Sequence, residues 1–408
     1  MINKPPERAS KLRVSAVDAA PKVMAVFLLV LGTSVLMRAQ TFTTLYSFTG
    51  SKDGAYPYAG VTQDDEGNIY GVAAAGGNLN CHFPGARGCG VVFKIDAAGN
   101  ETVLYTFSGK DGAYPYGTLV RDKAGNLFGT TEYGGDFQCD KYQGLGCGVV
   151  FEIDTAGKET VLHLFSGGRA DGCNPYENLI MDQAGNLYGT TPYCGASGHG
   201  TVFMLTREGK ETLLHNFAGL DGTTPSGLLR AASGNLYGLT NSGGTAGRGV
   251  LYELTEEGTL TVLYNFAGGS GGANPVALIM DKVGNFYGTT NQGGSFGGTV
   301  WKISKQGTET ILHNFGGGES DGCFPQGGIV RDSNGDLYGN AFQCGSSDDG
   351  IIWKVSGNGM ETVLHDFSVP NGANPSGSLL RDSNGSLYGT SSCADTGTGC
   401  YGTVWAYK

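Results

Sequence analysis

The chain of 408 residues has 72 glycines, 20 tyrosines, 19 phenylalanines and a formal net charge of −11. Glycine at about 18 % against a usual share of roughly 7 % means many tight turns. It follows no three-residue period, which excludes collagen, and the regularly placed aromatics argue against disorder. The acidic balance argues against nucleic acid and anionic membranes as partners.

Residues 1–39 read as a secretory signal, with Lys4, Arg8, Lys11, Arg13 and Lys22 ahead of an apolar run from Val23 to Met37 and cleavage expected after Ala39; the alternative is an uncleaved N-terminal anchor, for which this run is short. This leader holds six of the 26 basic and two of the 37 acidic residues, so the remainder has 20 against 35, a net −15. No other apolar run approaches bilayer length. The expected location is the periplasm or the extracellular space.

From residue 40 onward one unit is repeated. Near-copies of Gly125-Asn126-Leu127-Phe128-Gly129-Thr130-Thr131 are centred on Tyr70, Phe128, Tyr188, Tyr237, Tyr287, Tyr338 and Tyr388, at intervals of 58, 60, 49, 50, 51 and 50 residues. A period near 50 is that of propeller blades. Within one repeat, Pro115–Asp122, Gly125–Thr131, Gly148–Ile153 and Glu159–Phe165 read as four strands. The turns between them at Asp122–Gly125 and Asp154–Gly157 carry the Asp and Gly that hairpins use. The expectation is an all-β, seven-bladed propeller with four antiparallel strands per blade, in a single domain over 40–408. Trp301, Trp353 and Trp405 share one third-strand position and are expected to pack between blades. The last repeat lacks a fourth strand, and Thr43–Phe48 has the pattern of one, so pairing of 43–48 with 402–407 is expected to latch the ring.

The ten cysteines fall into close pairs: Cys81 with Cys89, Cys139 with Cys147, Cys173 with Cys194, Cys323 with Cys344, and Cys393 with Cys400. Five local disulfides are expected, as in an oxidising compartment; zinc spacing is absent, and neither metal nor cofactor is expected.

The repeated Gly-Asn-Leu-Tyr-Gly-Thr-Thr, Gly-Thr-Val-Phe-Lys-Ile, Gly-x-Glu-Thr-Val-Leu-Tyr-x-Phe and Asp-Gly-x-x-Pro segments resemble the GloVer tandem-repeat family of exported bacterial proteins over about 41–408. The resemblance implies export and no established activity, and it brings no catalytic residues. Members of that family often continue into a C-terminal surface anchor, whereas this chain stops at its last strand. At the level of fold the repeat is also similar to NHL-type and lactonase-type propellers.

Chemistry is sought on the loops. His163, His215, His313 and His365 occupy a position that is Tyr in Tyr46, Tyr105 and Tyr264, and are expected to be structural. Asp53, Asp111, Asp171, Asp221 and Asp321 open Asp-Gly turns that they are expected to cap. Asp332-Ser-Asn-Gly-Asp336 is a hairpin turn by alignment and lacks the terminal Glu of a calcium loop. Loop aromatics remain: Tyr133, Phe137, Tyr142, Tyr193, Phe296 and Phe342 are the candidate binding face. The expectation is a monomeric, non-catalytic exported protein that binds a carbohydrate or an extracellular protein through that face. The alternatives are a lyase, glycosidase or lactonase with acids in the channel, or a purely structural repeat protein.

Overall fold

The computed structural model describes residues 40–83, 86–139, 144–369, 371–393 and 399–408. Gln40–Lys408 forms one compact unit. It is a propeller of seven blades, each an antiparallel sheet of four strand positions running from the axis outward. Blade 2 has a split inner strand, Ala113–Pro115 with Val120–Arg121, followed by Leu127–Tyr133, Val149–Ile153 and Glu159–Leu164. Blade 6 is formed by Gly322–Arg331, Leu337–Cys344, Ile351–Val355 and Glu361–Asp366.

Blade 7 borrows its outer strand from the beginning of the chain. Phe42–Ser47 pairs with Thr403–Tyr407, from Phe42 opposite Tyr407 to Ser47 opposite Thr403, with a register shift between Thr44 and Tyr46. Thr41 and Lys408 exchange backbone hydrogen bonds of 2.7 and 3.0 Å beyond that ladder. The ring therefore closes by hydrogen bonding, and blade 7 keeps no open outer edge on its third strand.

The core lies between blades, as the aromatic positions require. The third-strand ring of one blade meets the Phe that follows the outer strand of the blade before it. Phe48 meets Phe93 at a centroid distance of 5.1 Å, Phe107 meets Phe151 at 5.1 Å, Phe315 meets Trp353 at 5.7 Å and Phe367 meets Trp405 at 5.6 Å. Every blade boundary has such a pair, and the rings are fully buried. Each contributes about 0.5–1.5 kcal/mol beyond its buried area.

These rings also explain the glycine inside the repeat signature. Gly129 is paired with Phe151 across the second and third strands, and a methyl group on Gly129 would overlap the Phe151 ring. Gly339 stands in the same way under Trp353.

Candidate functional site

The inner strands build the site, and an unusual backbone feature positions them. The residue before each repeat proline has positive φ in all seven blades: Tyr56, Tyr114, Asn174, Thr224, Asn274, Phe324 and Asn374, with φ between 55° and 59°. For a residue with a side chain this conformation costs about 1–2 kcal/mol. Each of these residues donates its N–H to a carbonyl of the preceding blade, from Tyr56 to Tyr401 O at 2.9 Å through to Asn374 to Asp349 O at 2.7 Å. The glycine after the acceptor lies so close to the next proline ring that a side chain would collide with it; Gly148 faces Pro175 and Gly350 faces Pro375. Proline suits this inner strand because it is an edge strand. Seven such rivets turn each chain segment sharply toward the axis.

The two residues after each proline therefore stand at the channel, and all of them except Gly117 and Ser226 line it. They are Tyr58-Ala59, Tyr116-Gly117, Tyr176-Glu177, Ser226-Gly227, Val276-Ala277, Gln326-Gly327 and Ser376-Gly377. The second of each pair is Ala or Gly in six blades and Glu in blade 3. A cavity of about 340 Å³ lies on the axis, lined by residues of all seven blades. Three tyrosines mark the side of blades 1 to 3: the Tyr58 and Tyr116 rings stack at 5.1 Å with an interplanar angle of 20°, and Tyr176 meets Tyr116 edge-on at 6.1 Å. Asn241, Asn274, Asn291, Gln326, Ser376 and Ser378 line it from blades 4 to 7.

A belt of hydrogen bonds gives this cavity a polar floor. The Gly60 N–H donates to Thr118 Oγ1 at 3.0 Å, and the Thr118 N–H donates to Asn178 Oδ1 at 2.7 Å. Asn178 Nδ2 then donates to Ser378 Oγ at 3.4 Å, which joins blade 3 to blade 7 across the ring. Ser378 Oγ also accepts the Gly328 N–H at 2.9 Å.

Glu177 is the one charged group in the lining. Its main chain is fixed by Thr130, whose hydroxyl donates to the Glu177 carbonyl at 3.3 Å. Burial pushes its carboxyl up to about 7, partly offset by a hydrogen bond from the Gly227 N–H. Glu132, on the second strand of blade 2, is likewise raised by burial, against a hydrogen bond with Tyr133. Both carboxyls act on Tyr116 and Tyr176, whose hydroxyls burial raises far above their usual range.

The loop aromatics have other neighbours. Tyr133 packs edge-on against Tyr114 at 5.9 Å and Phe296 against Phe324 at 5.8 Å, while Tyr193 and Phe342 are half-buried. Phe137 and Phe296 are exposed, in blades 2 and 5. Tyr142 lies outside the described residues. The five cysteine pairs are bonded as their spacing predicts, with Cys173–Cys194 and Cys323–Cys344 each tying the innermost strand to the end of the second.

The repeated acids and histidines form clamps between outer strands. Asp111 accepts the Ser108 N–H at 2.8 Å and the Tyr105 hydroxyl at 2.6 Å, and Glu159 of the next blade lies beside it. His163, Asp171 and Glu211 fill the same place one blade on, as do His313, Asp321 and Glu361 further round, each set with donor atoms within 4.8 Å. Those two sets have donors that suit a divalent cation. The same slot is built with tyrosine at Tyr46–Asp53 and Tyr105–Asp111, so we read it as a joint between blades. Burial, then the neighbouring Asp, pushes Glu101, Glu159 and Glu211 up to about 7. His365 has no Asp in its slot, stacks on Phe42 at 3.8 Å, and is pushed down to about 4 by burial. Asp332 accepts the N–H groups of Asn334 and Asp336 at 2.9 Å, which makes its segment a hairpin turn.

Glu177 was readable in the sequence as the single large residue in a column of Ala and Gly.

A profile of the Gloeobacter/Verrucomicrobia repeat matches residues 32–180, 85–297 and 284–408. No curated protein matches the chain significantly. Among solved structures, virginiamycin B lyase from Staphylococcus aureus aligns at 14 % identity over 90 % of this chain and 99 % of that one, with a TM-score of 0.57. The extracellular domains of two B. thetaiotaomicron two-component systems align at 13 % and 12 % identity over 90 % of this chain, with TM-scores of 0.55 and 0.58. They cover 41 % and 39 % of those longer chains. At such identities the likeness shows the fold alone.

Proposed function

The chain belongs to the Gloeobacter/Verrucomicrobia repeat family, and from that premise we propose that it is an exported, monomeric binding propeller that takes a polyhydroxylated ligand, the end of a saccharide, in its axial channel. One observation carries this reading. The channel sets three tyrosine rings on one side against amides and hydroxyls on the other, with a polar floor beneath. Apolar ring faces with a few convergent hydrogen-bonding groups are what a sugar needs, with its C–H face and its hydroxyl edge. The cavity is at the small end of ligand sites, which run from about 300 to 1,000 Å³, and suits a chain end. Five disulfides favour an oxidising compartment, either periplasmic or extracellular.

The test is an NMR titration with a panel of short oligosaccharides. Tyr116→Ala is expected to weaken binding by about tenfold or more, equivalent to ~1.4 kcal/mol, while Phe296→Ala on the rim leaves it unchanged. The reverse pattern would return the site to the loop face.

A second reading, catalysis, is favoured by Glu132 and Glu177, two carboxyls raised by burial that act on the same tyrosines. A glycosidase or lyase uses such groups as acid and base. Release of new sugar products, lost in Glu177→Gln, would establish it; intact sugars after prolonged incubation would leave binding alone.

A further inference from the structure

We infer that the ligand carries a positive charge at Glu177: the channel is built for an ammonium-bearing sugar, such as the end of an amino-sugar chain that has lost its N-acetyl groups. This rests on the reading of the channel as a saccharide site and names the class of sugar.

The first ground is position. Blades 1, 2, 4, 5, 6 and 7 have Ala59, Gly117, Gly227, Ala277, Gly327 and Gly377 where blade 3 has Glu177, so the frame has no need of a carboxylate there. The second is the missing counter-charge. No Lys, Arg or His lines the cavity, and no cation pairs with Glu177 among the described residues. An enclosed carboxylate with one backbone N–H as its partner is costly, and a ligand cation supplies what the protein withholds. The third is the wall. Tyrosine rings attract cations, and three of them line the same cavity.

The ammonium pairs with the ionised carboxylate, so binding is coupled to the proton on Glu177. The titratable groups around it are Tyr58, Tyr116 and Tyr176, which stay neutral across this range, and Glu132, which acts on the same tyrosines. Blades 4 to 7 contribute only amides, hydroxyls, aliphatic groups and glycine to the lining. Affinity for the cation therefore falls as pH drops below 7, while affinity for a neutral sugar does not.

A matched pair of probes tests this: glucose, and 6-amino-6-deoxyglucose, which has an ammonium in place of one hydroxyl; glucosamine is added as the natural linkage type. NMR titrations of the purified protein at pH 7.0 and pH 5.5 are expected to show the amino sugars at least tenfold tighter than glucose at pH 7.0. The preference shrinks at pH 5.5 and disappears in Glu177→Gln and in Glu177→Ala, the residue that blades 1 and 5 use. Melting curves of both variants check that the ring is intact. Equal binding of glucose and the amino sugars, or a preference that survives both variants, overturns the inference and leaves the saccharide reading standing. Absence of binding by any sugar, neutral or cationic, overturns both. Calcium binding that depends on Glu177, without preference for the amino sugars, assigns the carboxylate to a metal and also overturns it.

Discussion

The outer and inner parts of the ring obey different rules. At the blade boundaries the same parts recur seven times: a Phe against a third-strand ring, a glycine against a proline, and an N–H from a left-handed residue to the preceding blade. Around the axis the symmetry is broken, with Tyr, Tyr and Tyr-Glu on blades 1 to 3 facing Asn241, Val276, Gln326 and Ser376 on blades 4 to 7. Repetition serves the frame, since each blade must fit its neighbour. Departure from repetition inside a frame that tolerates Gly or Ala marks residues kept for something other than stability.

This contrast can be broken at several points. The largest effect is expected from deleting residues 41–48, which removes the outer strand of blade 7 and uncovers Trp405 and Phe93 on both sides of the seam. Cooperative melting should be lost, and a deletion protein with unchanged Tm would refute closure by this strand. Next is Gly148→Ala, where a left-handed backbone and contact with Pro175 combine. The expected loss is about 2–4 kcal/mol in denaturant unfolding, whereas Glu177→Ala should shift stability by less than about 1 kcal/mol. If the two variants lost stability equally, the division between frame and channel would fail.

The pH dependence is smaller and comes mainly from the clamps, with Glu177 acting in the same direction. Glu101, Glu159, Glu211 and Glu361 are raised from about 4.5 to about 7. A carboxyl raised on folding adds stability that is complete below its unfolded value and is lost as pH rises toward the folded one. His163, raised by Asp171 and Glu211 against burial, works in the same direction. His365, lowered to about 4, opposes it, losing stability as pH falls from about 6.5. Four glutamates and one histidine outweigh one histidine, so Tm should be higher at pH 5 than at pH 8, on the order of a few degrees. Glu159→Gln should recover part of the loss at pH 8 and change little at pH 5. A flat Tm over that interval would remove the clamps from the stability account.

Much of this was legible from the chain. The period gave blade number, the fourth-strand pattern at 43–48 gave the closure, and the shared position of Trp301, Trp353 and Trp405 placed them between blades. The histidines that alternate with tyrosine at one repeat position lie between outer strands, and His215 contacts Asp221 at 2.8 Å. The channel was hidden because its residues come one or two from each repeat, separated by about 50 positions, and only Glu177 departs from its column of Ala and Gly. Tyr58, Tyr116 and Tyr176 read as ordinary strand aromatics until the rivets turn them inward. The hand-over of an N–H to the preceding blade has no sequence signal beyond the proline and the glycine, which also occur in ordinary turns.

The latch at Phe42–Ser47 has a consequence in time. These residues find their place only when Thr403–Tyr407, their partner from the far side of the sequence, is itself in place. Until both are present the third strand of blade 7 and the flank of blade 1 stay uncovered, and the contact that joins them spans nearly the whole sequence. Such a contact is slow to form. The incomplete ring is thus a state with an open seam, and closing that seam is expected to be the late step of folding.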